Sequence, residues 1–183
     1  MSWKYNKNQI DSITTSSGLD MGSAQGGVRP SPRNLHTGGE PAIATTSGTN
    51  LDIVTTETYI AEVFVPATVT VTGISIFNGT AVAGNVQVFL ANASGTVVAS
   101  SASTAASGTT AYQQVPLSAT YTAVGPATYY VCVQGNNAGG DIRTHVVGTF
   151  GASKATSTTY GTLTSITPPT TFTTGVGPLA SLY

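Results

Sequence analysis

The densest group of ionisable residues in the second half of the chain is Asp141-Ile142-Arg143-Thr144-His145. If this run is a β-strand, Asp141, Arg143 and His145 project from one face, because side chains alternate between the two faces of a strand. A carboxylate, a guanidinium and an imidazole placed together form a candidate polar contact site for a sugar, a carboxylate or a neighbouring subunit. The alternative is a solvated strand face with a weak ion pair, worth about 0–1 kcal/mol.

The sequence offers few residues that could carry out enzymatic chemistry. From residue 51 onward the chain offers four carboxylates, one histidine and one cysteine, and it contains no HExxH, GxSxG, P-loop or CxxC spacing. Cys132 is the only cysteine, which excludes an intramolecular disulfide, and we expect a buried structural thiol. The sequons at Asn78 and Asn92 are interpreted as turn residues. The sequence therefore predicts a protein that is not an enzyme and has no cofactor and no metal ion.

The elements that carry these residues are predicted to be short β-strands. From about residue 51 apolar and polar residues alternate between turn signals, with Thr and Val dominant, and no segment has convincing helical spacing. The predicted strands are 57–65, 68–77, 85–91, 96–100, 111–117, 127–134 and 141–150. This spacing predicts an all-β jelly-roll or β-sandwich domain over residues 51–183, with an irregular C-terminal tail that supplies one edge strand or crosses onto a partner.

The strand TVTVTGISIF carries two local signals. The two valines before Gly73 fall at odd positions and the two isoleucines after it at even positions, so a strict period of two cannot keep all four on one face. A bulge or kink at Gly73 would restore the phase, and the alternative is a strand buried on both faces. The Asn78-Gly79 pair that follows predicts a hairpin turn.

Residues 1–50 have a different composition, rich in Gly, Ser, Pro and Thr, with isolated apolar residues. Free in solution, such a segment cannot bury enough apolar surface to offset its ordering entropy. Trp3, Tyr5 and Ile10 are the exceptions, and a solvent-exposed linker has little use for a tryptophan. We expect an extended, largely irregular docking arm that binds a partner through these three residues; the alternative is a flexible tail.

Charge is scarce throughout. Asp, Glu, Lys and Arg make up 7% of the 183 residues, and none of them occurs in the 78 residues from Val63 to Gly140; about 25% is usual. No basic patch of the kind that binds phosphate is present, which argues against a nucleic-acid partner. Because charge is depleted at the cores of protein interfaces, the composition predicts a domain largely covered by copies of itself and by other subunits.

A different class of function, carbohydrate or receptor binding, is the main alternative. Tyrosines inside or beside the predicted strands could form a sugar-stacking platform, although such residues more often lie at core edges or interfaces. They are Tyr59, Tyr112, Tyr121, Tyr129, Tyr130 and Tyr160. In this alternative, the chain would be a tail-fibre, baseplate or secreted module that binds a host glycan.

Two stretches resemble known proteins. The start, WKYNKNQID, is similar to the short aromatic–Lys–aromatic–Asn openings of some tailed-bacteriophage virion proteins. The body, VTVTGISIFNG, GNVQVFLANASGTVVASS, VPL and GPATYYVCVQGN in that order, resembles jelly-roll domains of phage decoration (cement), head-fibre and tail proteins. The resemblance covers about residues 57–136 and the first ten residues. It lies in the general character and the order of these segments, and it includes no invariant motif.

The resemblance implies a non-enzymatic virion structural protein that forms homotrimers on a capsid or tail surface and grips capsid subunits with extended arms. Capsid decoration is the leading expectation. The N-terminus lacks the apolar core of a signal peptide, and no 18-residue apolar run could span a bilayer. We therefore expect synthesis in a host cytoplasm, a final location in the virion and no membrane partner.

Overall fold

A computed structural model of the chain describes residues 35–39 and 48–183. These residues form eleven β-strands and one 3-10 turn, Thr37–Gly39. The all-β prediction is confirmed for this part of the chain. No helix among the described residues has the length and hydropathy needed to cross a membrane.

All strand pairs are antiparallel, and they form three sheets. The strands are β1 (Thr49–Asp52), β2 (Thr58–Val65), β3 (Val69–Phe77), β4 (Asn85–Ala91), β5 (Val97–Ser100), β6 (Thr104–Ala105), β7 (Tyr112–Ala123), β8 (Ala127–Gly135), β9 (Asp141–Thr144), β10 (Ala152–Ala155) and β11 (Ala180–Leu182). The larger sheet has the order β10-β2-β8-β4-β5, with β6 also paired to β4; the smaller sheet is β11-β3-β7, and β1 pairs with β9.

The main core contains alternate residues from the larger and the smaller sheet. Val63 and Val131 of the larger sheet belong to the same buried cluster as Ile74 and Val115 of the smaller one, and each is at most 1% exposed. This is the arrangement that strands with one apolar face adopt when two sheets share a core.

A second apolar cluster lies on the opposite face of the larger sheet. Its buried members are Ile60, Phe89, Ala91, Tyr130 and Cys132. Leu163 and Ile166 pack against them from the irregular segment between β10 and β11. Part of the predicted C-terminal tail therefore covers this sheet, and its last residues form β11, which pairs with β3.

The break predicted at Gly73 is confirmed. The pairing of β3 with β7 shifts register between Val71 and Gly73. At this point the backbone N–H groups of Thr72 and Gly73 donate to the main-chain oxygen of Tyr183 at 2.6 and 3.1 Å, and Tyr183 N donates to Gly73 O at 3.0 Å. A Cβ at position 73 would overlap the Tyr183 ring, so glycine permits both the bulge and this close contact.

The hairpin predicted at Asn78-Gly79 is wrong. β3 pairs with β7 and β11, whereas β4 belongs to the larger sheet, so residues 78–84 cross between sheets. The buried Asn78 side chain donates from Nδ2 to Ser107 O at 2.6 Å and to Gln113 Oε1 at 2.9 Å. A residue pair that is typical of tight turns thus anchors a crossover.

Residues 35–39, which the sequence analysis assigns to the arm, pack against the smaller sheet. Leu35 is 2% exposed within the main core, and its carbonyl accepts a hydrogen bond from Leu182 N at 3.0 Å. His36 forms an antiparallel bridge with Ser181. The segment therefore extends the smaller sheet beyond β11 and contributes to the folded domain.

Candidate functional site

Asp141, the first residue of β9, is 6% exposed and holds the crossover that follows β3. Its carboxylate accepts hydrogen bonds from Thr80 N at 3.2 Å, Thr80 Oγ1 at 3.1 Å and Ala81 N at 2.6 Å. Its backbone carbonyl accepts from Gly79 N at 2.9 Å. Several donors converging on one buried carboxylate satisfy its charge and fix the loop.

Arg143 and His145 contact other segments of the chain. Arg143 is half-buried and donates from a terminal guanidinium nitrogen to Gly48 O at 3.3 Å. His145 follows β9, is 7% exposed and contacts Thr37. The three residues predicted as one contact strand are thus each engaged with a different part of the same domain.

His145 belongs to a buried group that we call the histidine latch: His36, Thr37 and His145. Thr37 Oγ1 lies 2.7 Å from Pro178 O, 3.0 Å from Ala180 N and 2.9 Å from His145 Nε2. A hydroxyl has one proton and two lone pairs. Since the 2.7 Å contact with a carbonyl requires the Thr37 proton, the lone pairs accept from Ala180 N–H and from His145. His145 Nε2 therefore carries the ring proton.

The latch keeps both histidines neutral. Burial, with a smaller contribution from His36, lowers the pKa of His145 to about 4, and an interaction with the Thr37 backbone partly opposes this. Burial also lowers the pKa of His36, whose Nδ1 has no hydrogen-bond partner among the described residues. The rings are held by aromatic contacts: His145 with Phe150 at 4.8 Å and His36 with Tyr112 at 6.2 Å between centroids.

The remaining reactive groups are also buried. Cys132 is fully buried, which raises its pKa and keeps the thiol protonated. Burial raises the pKa of Tyr59 to about 12, and its hydroxyl donates to Glu57 Oε2 at 3.0 Å. Within the described ranges, no group of three or more His, Cys, Asp or Glu residues could hold a metal ion.

The few charged side chains are mostly engaged inside the domain. Residues 48–183 contain six of them, namely Asp52, Glu57, Glu62, Asp141, Arg143 and Lys154. Lys154 Nζ pairs with Glu57 Oε1 at 2.6 Å, and Glu62 Oε2 accepts from Gly151 N at 2.8 Å. Asp52 is the exposed carboxylate. Apart from Asp52, the half-exposed Lys154 ammonium and the half-buried Glu62 and Arg143, the polar groups on the surface of residues 48–183 are hydroxyls, amides and backbone.

The six tyrosines do not form one platform. Tyr59, Tyr129 and Tyr130 are buried, whereas Tyr112, Tyr121 and Tyr160 are half-buried. Tyr112 lines a groove of about 660 Å³, which we call the Tyr112 groove; its lining includes Ser75, Thr104, Ser107, Tyr112, Gln113 and Gln114.

The predicted arm contacts Trp3, Tyr5 and Ile10 lie outside the described residues. Sequence reasoning missed the latch; for the Tyr112 groove it named Tyr112 as one of six possible sugar-stacking tyrosines but none of the other lining residues. One signal was available for the latch, since His36 and His145 are the only two histidines of the chain. No family model, curated protein or solved structure matches this chain.

Proposed function

We propose that this chain is a non-enzymatic structural protein of a tailed-bacteriophage particle, and specifically a capsid decoration (cement) protein. In this role the N-terminal segment binds neighbouring capsid subunits, and the β-domain associates with copies of itself as a homotrimer. The protein is made in the host cytoplasm and ends in the virion.

The observation that carries the proposal is the internal use of charge. In residues 48–183, five of the six charged side chains make hydrogen bonds or ion pairs within the domain, and Asp141 and Glu57 are buried. Free protein surfaces are normally rich in charge, whereas the centres of interfaces are depleted in it. A neutral hydroxyl-rich and amide-rich exterior suits a surface that is covered by other subunits.

The strand order supports the jelly-roll form of the proposal. Successive strands change sheet from β2 to β3 to β4 and again from β7 to β8, and β2 lies beside β8. Such alternation between two facing sheets is what the double Greek key of a jelly roll requires.

Self-association is supported by the outer strand of the smaller sheet. β7 spans Tyr112–Ala123 at the edge of that sheet and contains no charged residue. Soluble proteins usually protect an exposed edge strand with charge, because its unpaired backbone groups can pair with another chain. The first half of this edge is covered, since Leu117 bridges to Ser101 and Gln113 binds Ala105 and Ser107; the uncharged stretch beyond Leu117 is a suitable surface for a second and third copy.

The proposal is tested on purified particles. Quantitative mass spectrometry should give hundreds of copies per particle for a decoration protein, whereas a handful would instead indicate a fibre, collar or baseplate component. In the full-length chain Trp3→Ala should weaken attachment, since burial of a large apolar side chain contributes about 1.5–3 kcal/mol.

A truncation should remove residues 1–34 and keep residue 35 onward, because Leu35 and Thr37 are buried in the β-domain. We expect the truncated protein to fold and to lose attachment. Full occupancy of particles by this protein would show that the β-domain makes the docking contacts and would overturn the role given to the arm.

A further inference from the structure

The Tyr112 groove has one wall that is built by buried side chains. Gln113 Nε2 donates to Ala105 O at 2.7 Å, and Gln113 Oε1 accepts from Ser107 N at 2.9 Å. Asn78 Nδ2 binds both Gln113 Oε1, at 2.9 Å, and Ser107 O, at 2.6 Å. Because Gln113 and Asn78 are 7% and 1% exposed, this network fixes the segment after β6 against the edge of β7.

The floor of the groove is the outer face of the smaller sheet. The ring of Tyr112 is half-buried, and Phe77 packs beside it at 4.9 Å between centroids. The next outward residue of β7 is Gln114, whose exposed amide lies opposite Ser75 in the β3–β7 register. A supported aromatic ring therefore stands two residues from an amide that can both donate and accept hydrogen bonds.

The lining defines the chemistry of a ligand. Among the described residues, hydroxyls, amides, backbone groups and one aromatic ring line the groove, and none of these lining residues is charged. These described residues offer no cation to a phosphorylated or strongly acidic ligand. A neutral sugar offers hydroxyls that pair with amides and hydroxyls, and a C–H face that packs on an aromatic ring. The volume of about 660 Å³ falls in the range of small-molecule sites and would hold an oligosaccharide of a few units.

We propose that the Tyr112 groove binds a neutral oligosaccharide, with the Tyr112 ring stacking on one sugar and Gln114 hydrogen-bonding its hydroxyls. This binding function goes beyond the proposed structural role and does not depend on it: a particle component could carry the groove outward toward a cell-surface glycan.

The test uses full-length protein and titration calorimetry with maltotriose, cellotriose, chitotriose, lactose and mannobiose. At least one probe should bind with a dissociation constant of about 0.1–5 mM, as expected for an open groove with one stacking ring. Tyr112→Ala should weaken that binding at least tenfold, and Tyr112→Phe should stay within about threefold because the ring is kept.

Two further variants separate binding from folding. Gln114→Ala changes an exposed side chain and should weaken binding several-fold with an unchanged melting temperature. Tyr121→Ala removes another half-buried tyrosine of the same strand and should leave the affinity unchanged. The proposal is overturned if no probe binds at about 10 mM, if Tyr112→Ala and Gln114→Ala leave the affinity unchanged, or if sialylated or phosphorylated sugars bind in preference to the neutral ones.

Discussion

Replacing Thr37 by valine should destabilise the β-domain, although the two side chains have almost the same shape. The Thr37 hydroxyl donates to Pro178 O and accepts from Ala180 N and His145 Nε2, at 2.7, 3.0 and 2.9 Å. Valine keeps the volume and removes these three hydrogen bonds, together with a longer contact of 3.3 Å between the hydroxyl and Ala180 O. All four residues are buried, so three polar groups would be left without their partner.

The magnitude follows from those three groups. A buried donor or acceptor that loses its partner costs about 1–3 kcal/mol. The backbone groups of Pro178 and Ala180 bear this cost in full, whereas His145 also lines an open pocket of about 440 Å³ through which water can reach the ring. We expect a loss of about 3 kcal/mol in the free energy of unfolding, or a melting temperature lower by roughly 6–12 °C for a domain of this size.

Urea and thermal unfolding followed by circular dichroism measure the effect, with two matched controls. Thr37→Ser keeps the hydroxyl and loses one methyl group, so it should cost only about 1 kcal/mol. Thr70→Val, at an exposed position of β3, should change stability by about 0.5 kcal/mol or less. If burial of apolar surface dominated at position 37, serine would be the worse replacement. A valine variant as stable as the serine variant would refute the reasoning.

Three other properties of the domain can be measured. The pKa of His145 is lowered from 6.5 to about 4, so between these pH values the unfolded chain binds a proton that the native chain does not. The free energy of unfolding should therefore be level above about pH 7 and fall by about 2 kcal/mol toward pH 4.5. His36, whose pKa is also lowered, should add to this loss. His145→Asn should remove most of this dependence in urea titrations at the two pH values, and an unchanged dependence would assign it to other groups. Gly73→Ala should lower the free energy of unfolding by about 1–2 kcal/mol, because the new methyl group displaces the Tyr183 ring. This loss should vanish when Tyr183 is also replaced by alanine. A loss that persists in the double variant would show that the bulge itself, and not the ring, requires glycine. Since few charges can be screened, sedimentation of the proposed homotrimer should be the same in low salt and in about 1 M NaCl. Dissociation in high salt would contradict the proposed neutral interface.

Local pattern was sufficient for most of the strands. The prediction for 85–91 matches β4, and those for 57–65 and 68–77 miss β2 and β3 by one residue, because alternation and flanking turn residues are encoded within a few positions. The Gly73 bulge was predictable for the same reason. Predictions failed where tertiary contacts extend or end a strand: β7 continues to Ala123 through its pairing with β3, and β9 stops at Thr144, after which His145 N binds Gly177 O.

The sequence by itself determined that this protein is an all-β, charge-poor chain, because side-chain period and composition are local properties. Only the tertiary structure decided which edges meet. Asn78-Gly79 has the sequence of a hairpin turn, yet it lies at the start of a crossover between the sheets. Two residues that are distant in the chain hold it there: Asp141 O accepts from Gly79 N, and Gln113 Oε1 accepts from Asn78 Nδ2. Thr37 and His145 are 108 residues apart and meet because residues 35–39 occupy the free edge of β11. An edge strand offers its hydrogen bonds to any compatible segment, so the local sequence does not specify the partner.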